Sequence, residues 1–146
     1  MPSNKKLSSA RNFQPYQLPR LLRIIIADDE RDTVLTLRVI LSDEGHEVHG
    51  VYTGSRLVPS MREFDPDVVL LDIALPEKSG YQLAQEIRKR PRGQRVLLIG
   101  ISGQYKQGSD KILAHLSGFD HYLVKPFDPA VLLALIAPLT VPNAGR

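Results

Sequence analysis

Cysteine is absent from the 146 residues, which excludes disulfides, thiolate nucleophiles and cysteine-held zinc or iron–sulfur centres. A chain with none is expected in the cytoplasm. No apolar run approaches the roughly 18 residues that a bilayer span requires, and the N-terminal lysines are not followed by the apolar segment of an export signal. Neither GxxxxGK[ST] nor GxGxxG occurs, which disfavours nucleotide binding. His46, His49, His115 and His121 lack metal-ligand spacing. No helix-turn-helix pattern follows Pro138, so direct nucleic-acid binding is not expected, nor is membrane association.

Charge of one sign is also scarce where it would matter. The formal net charge is +3, yet all 16 acidic residues fall within residues 21–138, leaving that stretch slightly acidic. The cationic excess sits in the ends, at Lys5, Lys6, Arg11, Arg20 and Arg146. Dispersed cations of this kind read as a solvated arm. Residues 1–20, rich in Ser, Asn, Gln and Pro, are expected to form that flexible arm, residues 21–138 a single domain, and residues 139–146 a tail.

What is present is a set of short apolar runs, each of which stops on a polar residue. Val68-Val69-Leu70-Leu71 is the length and composition of a strand buried on both faces. It ends on Asp72. A buried, unpaired carboxylate is very costly, so Asp72 belongs at the open end of the strand, facing solvent, a metal or a cation. Residues 22–27 repeat the pattern and end on Asp28, Asp29 and Glu30. Residues 96–101 end on Ser102-Gly103, and residues 121–124 on Lys125-Pro126. Residues 47–52 complete five expected strands.

Helical spacing fills the gaps. Asp32 is a plausible cap for a helix carrying Val34, Leu37 and Leu41. Residues 55–64 are expected to be helical despite Pro59, and residues 80–90 form a helix with Leu83 and Ile87 inward and Arg88, Lys89 and Arg90 in the last turn. Residues 110–116 carry Ile112, Leu113 and Leu116 at helical spacing. Asp128 and Pro129 open a last helix to about residue 137, with Val131, Leu132, Leu135 and Ile136 facing the core. Strict alternation of strand and helix predicts an α/β fold, a doubly wound five-stranded parallel sheet. In such folds the working crevice lies beyond the carboxyl ends of the strands. Asp28, Asp29, Asp72, Ser102 and Lys125 all sit at those ends.

Each of these residues has an ordinary reading when taken alone: a capping acid, a turn serine, a surface lysine. Together they describe a site for a hard divalent cation and a phosphoryl group. Mg²⁺ takes oxygen ligands and needs only a few carboxylates. Three clustered acids without a cation would repel one another and raise a pKa. Lys125 and Ser102 could serve phosphoryl oxygens. Asp72, in mid-domain and opposite the paired acids, is the best candidate nucleophile for an acyl phosphate.

The motifs Ile26-Ala27-Asp28-Asp29-Glu30, Leu70-Leu71-Asp72-Ile73-Ala74-Leu75-Pro76 with Gly80, Ser102-Gly103 and Val124-Lys125-Pro126-Phe127 resemble those of the receiver domain of bacterial two-component response regulators. The resemblance covers residues 22–138. It implies the flavodoxin-like (βα)5 receiver fold and phosphoryl transfer from a histidine kinase or histidine phosphotransfer protein onto Asp72. It further implies Mg²⁺ held by Asp28, Asp29, Asp72 and the backbone carbonyl of Ala74, with Ser102 and Lys125 on the phosphoryl oxygens. Tyr122 matches the family's switch aromatic, the peptide before Pro126 is typically cis, and the output surface is the fourth helix, fifth strand and fifth helix, met by a downstream effector protein. Ala74, Lys78 and Ser79 depart from common family residues, which bears on phosphoryl lifetime and partner choice. The glycine-bearing segment from Ser102 to the fourth helix is expected to be mobile.

Three functions are thus in view. The first is a phosphoaccepting signalling switch, monomeric or forming a phosphorylation-linked homodimer, which catalyses only its own phosphorylation and dephosphorylation. A receiver-like interaction module that works without phosphorylation is the alternative, although it has no need of all five polar groups. An aspartyl-phosphate phosphohydrolase ranks lowest, because Ala74 stands where such an enzyme needs an acid. The arm suits a stand-alone protein or a linker remnant of a hybrid histidine kinase.

Overall fold

In a computed structural model of the chain, residues 18–103 and 108–142 are described. The elements are β1 (Arg23–Ala27), α1 (Arg31–Asp43), β2 (Glu47–Val51), a 3-10 turn (Gly54–Arg56), α2 (Leu57–Phe64), β3 (Val68–Asp72), α3 (Gly80–Arg88), β4 (Leu97–Ser102), α4 (Gly108–Ser117), β5 (His121–Val124), α5 (Pro129–Ile136) and a closing 3-10 turn (Ala137–Thr140). All strands are parallel, in the order β2-β1-β3-β4-β5. The chain reverses its winding between β1 and β3, so the carboxyl ends of those two strands flank the crevice. Among the described residues no helix is long and apolar enough to cross a membrane.

The two faces of the sheet bury separate cores. Ile24, Ile26, Val68, Leu70 and Ile99 point to one side, under Val34, Leu37 and Leu41 of α1 and Leu132 and Ile136 of α5. Ile25, Ala27, Val69, Leu71 and Leu98 point to the other, under Leu57 and Met61 of α2, Leu83, Ala84 and Ile87 of α3, and Ala114 of α4. Alternation along each strand, with both sets apolar, is what a sheet covered on both sides requires. Val68 to Leu71 are each fully buried, so β3 is the centre of the domain and fixes where Asp72 emerges.

Several local expectations need correction. Glu30, not Asp32, occupies the N-cap of α1, and Asp32 lies in its first turn, where an acid still favours the dipole. Residues 54–56 form a 3-10 turn before α2, so Pro59 falls in the first turn of the α-helix, where no intrahelical N–H bond is lost. α3 stops at Arg88 rather than Arg90, because Arg88 turns back onto the carbonyls of Gly93, Val96 and Gly118 and onto Asp120, at 2.7–2.8 Å. The spaced apolar residues of α4 are not its buried face: Ile112, Leu113 and Leu116 are exposed, and Ala114 and Ser117 turn inward. Val131 of α5 is likewise exposed, whereas Asp128 caps α5 as expected, accepting from the Ala130 N–H at 2.9 Å. The Lys125-Pro126 peptide is cis. Residues 1–17 of the expected arm and 104–107 of the expected mobile segment lie outside the described residues. Arg20 is tied down, its N–H donating to the Thr140 carbonyl and its guanidinium to Asp67, both at 2.7 Å.

Candidate functional site

Three backbone events set the pocket. β1 ends at Ala27, where the following N–H of Asp28 still donates to the carbonyl of Val51, so Asp28 leaves the sheet in a fixed direction with its side chain almost fully buried. Its Oδ1 accepts from the Glu30 N–H at 2.9 Å, an Asx-type turn that starts α1. β3 ends on Asp72, whose Oδ1 accepts from the Ala74 N–H at 2.9 Å in the same manner. The chain then climbs through Glu77, held at φ 77° and bonded by Ser55, and returns at Gly80. A Cβ at Gly80 would lie 2.6 Å from the Cα of Ile73, so only glycine lets α3 start so close to the acid-bearing strand.

Asp28, Asp29 and Asp72 each present an oxygen such that all three lie within 4.8 Å of one another. They line a cavity of about 440 Å³ together with Ala74, Ser102 and Lys125. Lys125 reaches in from the end of β5, and its Nζ donates to Asp28 Oδ2 at 2.8 Å. Ser102 closes β4, with its carbonyl accepting from the Lys125 N–H at 2.8 Å, which locks the two strand ends together. All five polar residues picked from the strand ends therefore share one pocket.

Its electrostatics follow from burial. Asp72 is 7% exposed, and its pKa is pushed up to about 6, chiefly by desolvation, with the Asp28 charge adding and the Ala74 N–H and the Lys125 charge opposing. Burial would lower Lys125, but its bond to Asp28 and the charges of Asp28, Asp72 and Glu30 outweigh that and raise it. A pocket with three carboxylates and one ammonium carries an excess of negative charge that a small cation with hard oxygen ligands would relieve. The carboxylate donor set fits Mg²⁺ or a similar ion.

Tyr122 sits outside the pocket. It pairs with Gly100 across β4 and β5, is half-buried against the core under α2, α3 and α4, and its buried hydroxyl has no hydrogen-bond partner among the described residues. Glu30, Ile73 and Gly103, each part of a motif read from the sequence, also line the pocket, as does Tyr81, which was not singled out. Tyr81 is the notable addition: it rests edge-on against Phe119, ring centroids 6.5 Å apart, at the start of α3. Its signal was available, an aromatic immediately after the glycine that closes the Asp72 loop.

A family model described as the response regulator receiver domain matches residues 24–137. A receiver domain protein (CheY-like) from Methanospirillum hungatei is 30% identical, with a TM-score of 0.71 over 80% of this chain and 90% of that one. The BeF3-activated N-terminal receiver domain of RstA from Klebsiella pneumoniae is 26% identical, with a TM-score of 0.73 over 82% and 98% of the two chains. The signal receiver domain of a signal transduction histidine kinase from Syntrophus aciditrophicus, 22% identical with a TM-score of 0.76 over 86% and 94%, shares the fold.

Proposed function

Because the chain belongs to the response regulator receiver domain family, we propose that it is a phosphoryl-accepting switch whose acceptor is Asp72, charged from a phosphohistidine on a histidine kinase or histidine phosphotransfer protein. The observation that carries this reading is the convergence of Asp28, Asp29 and Asp72 within 4.8 Å, with Lys125 in the same cavity. In the transfer, a carboxylate oxygen of Asp72 forms the new O–P bond as the donor's N–P bond breaks, and the leaving imidazole retains the bond's electron pair and takes up a proton. Asp28, Asp29 and Asp72 would hold Mg²⁺, with the Ala74 carbonyl as a further ligand. When bound, the ion supplies positive charge against the carboxylates and the phosphoryl oxygens.

The protein's own part is positioning and charge. The Ala74 N–H fixes one oxygen of Asp72 and leaves the other to attack. Lys125 must exchange its bond to Asp28 for one to a phosphoryl oxygen, and Ser102, 5% exposed at the end of β4, is placed to donate to another. No strong general base is required, because a carboxylate is already ionised when it attacks. Tyr122 follows Ser102 in this account, its buried hydroxyl without a hydrogen-bond partner among the described residues and its rotamer set by where Ser102 sits. The surface that changes is α4, β5 and α5, where Ile112, Leu113, Leu116 and Val131 stand exposed for an effector. Phosphorylation biases two pre-existing arrangements rather than making a new fold.

The Klebsiella relative is described as BeF3-activated, and beryllofluoride tests the same reading here. Bound fluoride should be seen by ¹⁹F NMR with wild type in Mg²⁺ and be absent with Asp72→Ala or with EDTA. Bound fluoride in Asp72→Ala would move the acceptor elsewhere, and none in folded wild type would favour an interaction module that works without phosphorylation.

A further inference from the structure

At the opposite end of the sheet, before the strands begin, the chain gathers arginine. The segment Arg88-Lys89-Arg90-Pro91-Arg92-Gly93-Gln94-Arg95 has five cations in eight residues. It is not a free loop. Gly93 is buried so tightly that a Cβ would fall 1.6 Å from the Ile87 carbonyl oxygen, and Arg88 clamps the Gly93 and Val96 carbonyls. This rigid turn borders two adjoining hollows of about 290 and 220 Å³ that share Asp65, Pro66, Arg92 and Val96. Arg62 and Arg90 line the first and Arg20 and Arg95 the second.

The acids present are already engaged. Asp65 pairs with Arg92 at 2.8 Å, and Asp67 accepts from Arg20 at 2.7 Å and from the Arg23 N–H at 2.9 Å. Arg62, Arg90 and Arg95 have no ion pair or side-chain hydrogen bond among the described residues. They come from two segments, the end of α2 and the α3–β4 turn. At five N–H donors each, they offer roughly fifteen donors without a side-chain acceptor or ion pair among the described residues. Guanidinium forks on a rigid frame suit bidentate phosphate oxygens, and the absence of lysine from both linings among the described residues points the same way. Among the described residues no aromatic side chain lines either hollow, so none of them would stack a base.

We propose that this paired arginine cleft binds a linear oligophosphate, either a free inorganic chain or the phosphate tail of a nucleoside triphosphate, independently of Asp72. A strand of five residues separates it from the acidic pocket by about 16 Å, so both can be filled at once.

The probes are sodium tripolyphosphate, ATP and orthophosphate, titrated calorimetrically into the full chain in EDTA, which keeps metal-bridged binding at the acidic pocket out of the signal. Tripolyphosphate should bind, weaken as NaCl rises, and exceed orthophosphate by at least about tenfold, because consecutive phosphates reach both hollows. Tighter binding of ATP would assign a nucleotide source, and tighter tripolyphosphate the free chain. Arg62→Ala/Arg95→Ala, two exposed positions, should weaken binding about tenfold while leaving the melting curve and acetyl phosphate labelling unchanged. No binding, equal binding by orthophosphate, or undiminished binding by the double variant would overturn the proposal. So would loss of binding on replacing Lys5, Lys6 and Arg11 by Ala, which would place the anion on the arm.

Discussion

Removing the charge of Asp72 should make the metal-free protein more stable. Asp72 ends a fully buried strand, and its pKa rises from 3.8 to about 6, mainly because the ionised form is desolvated. A carboxyl that holds its proton more tightly when folded opposes folding once it ionises. The penalty is absent below pH 3.8, grows through the interval up to about 6, and is constant above it. Two pKa units correspond to about 3 kcal/mol, an upper bound because water still reaches the pocket mouth. Asparagine retains Oδ1 to accept the Ala74 N–H, so the substitution deletes charge and little else. Urea unfolding of Asp72→Asn in EDTA at pH 7.5 should therefore give a gain of about 1–3 kcal/mol over wild type, shrinking towards zero near pH 4. Adding Mg²⁺ should stabilise wild type and reverse the order, since a ligand of the folded state adds to its stability. A variant no more stable than wild type at pH 7.5 in EDTA, or a gain that persists undiminished at pH 4, would refute the account of the pocket as strained by its own charge.

Two further outcomes follow from groups outside the pocket. His46 is buried, and its Nδ1 accepts from the Leu22 N–H at 3.0 Å, so it folds as the neutral ring; burial lowers its pKa, with Glu44 opposing. In Asp72→Asn, where the opposing titration of Asp72 is absent, stability measured by urea should fall as pH drops below about 6.5, and adding His46→Gln should flatten that part of the profile. Arg88→Ala deletes the donors to three carbonyls and Asp120, and should cost about 2–4 kcal/mol in urea unfolding. Arg88→Lys should recover little of it, since an ammonium cannot reproduce the planar fork.

Much of this molecule could be read before it was seen. Strands buried on both faces must be apolar throughout, so Val68 to Leu71 and Ile24 to Ala27 announced themselves, and the polar residue ending each had to lie at an open edge. Parallel winding then brought Asp28, Asp72, Ser102 and Lys125 to the same edge. What escaped depended on three-dimensional choice between equivalent partners. Nothing in local spacing says that Lys125 pairs with Asp28 rather than Asp72, 97 and 53 positions away in sequence. The apolar residues of α4 misled for a related reason: Ala114 and Ser117 are small enough to bring that face against the core, leaving the larger Ile112 and Leu116 outside. Asp32 lost the cap of α1 because the Asp28 turn had already fixed the chain two residues earlier, at Glu30. Arg88 looked like a cation on a helix end, and became a clamp only once the Gly93 turn and the end of α4 came within its reach.

The central claim, that Asp72 accepts a phosphoryl group, is tested most directly by intact mass after incubation with acetyl phosphate or phosphoramidate in Mg²⁺. The account predicts the gain of a single phosphoryl group in wild type, lost in EDTA and absent from Asp72→Asn. An unmodified wild-type chain that is shown to be folded, or a phosphoryl group retained by Asp72→Asn, would contradict it.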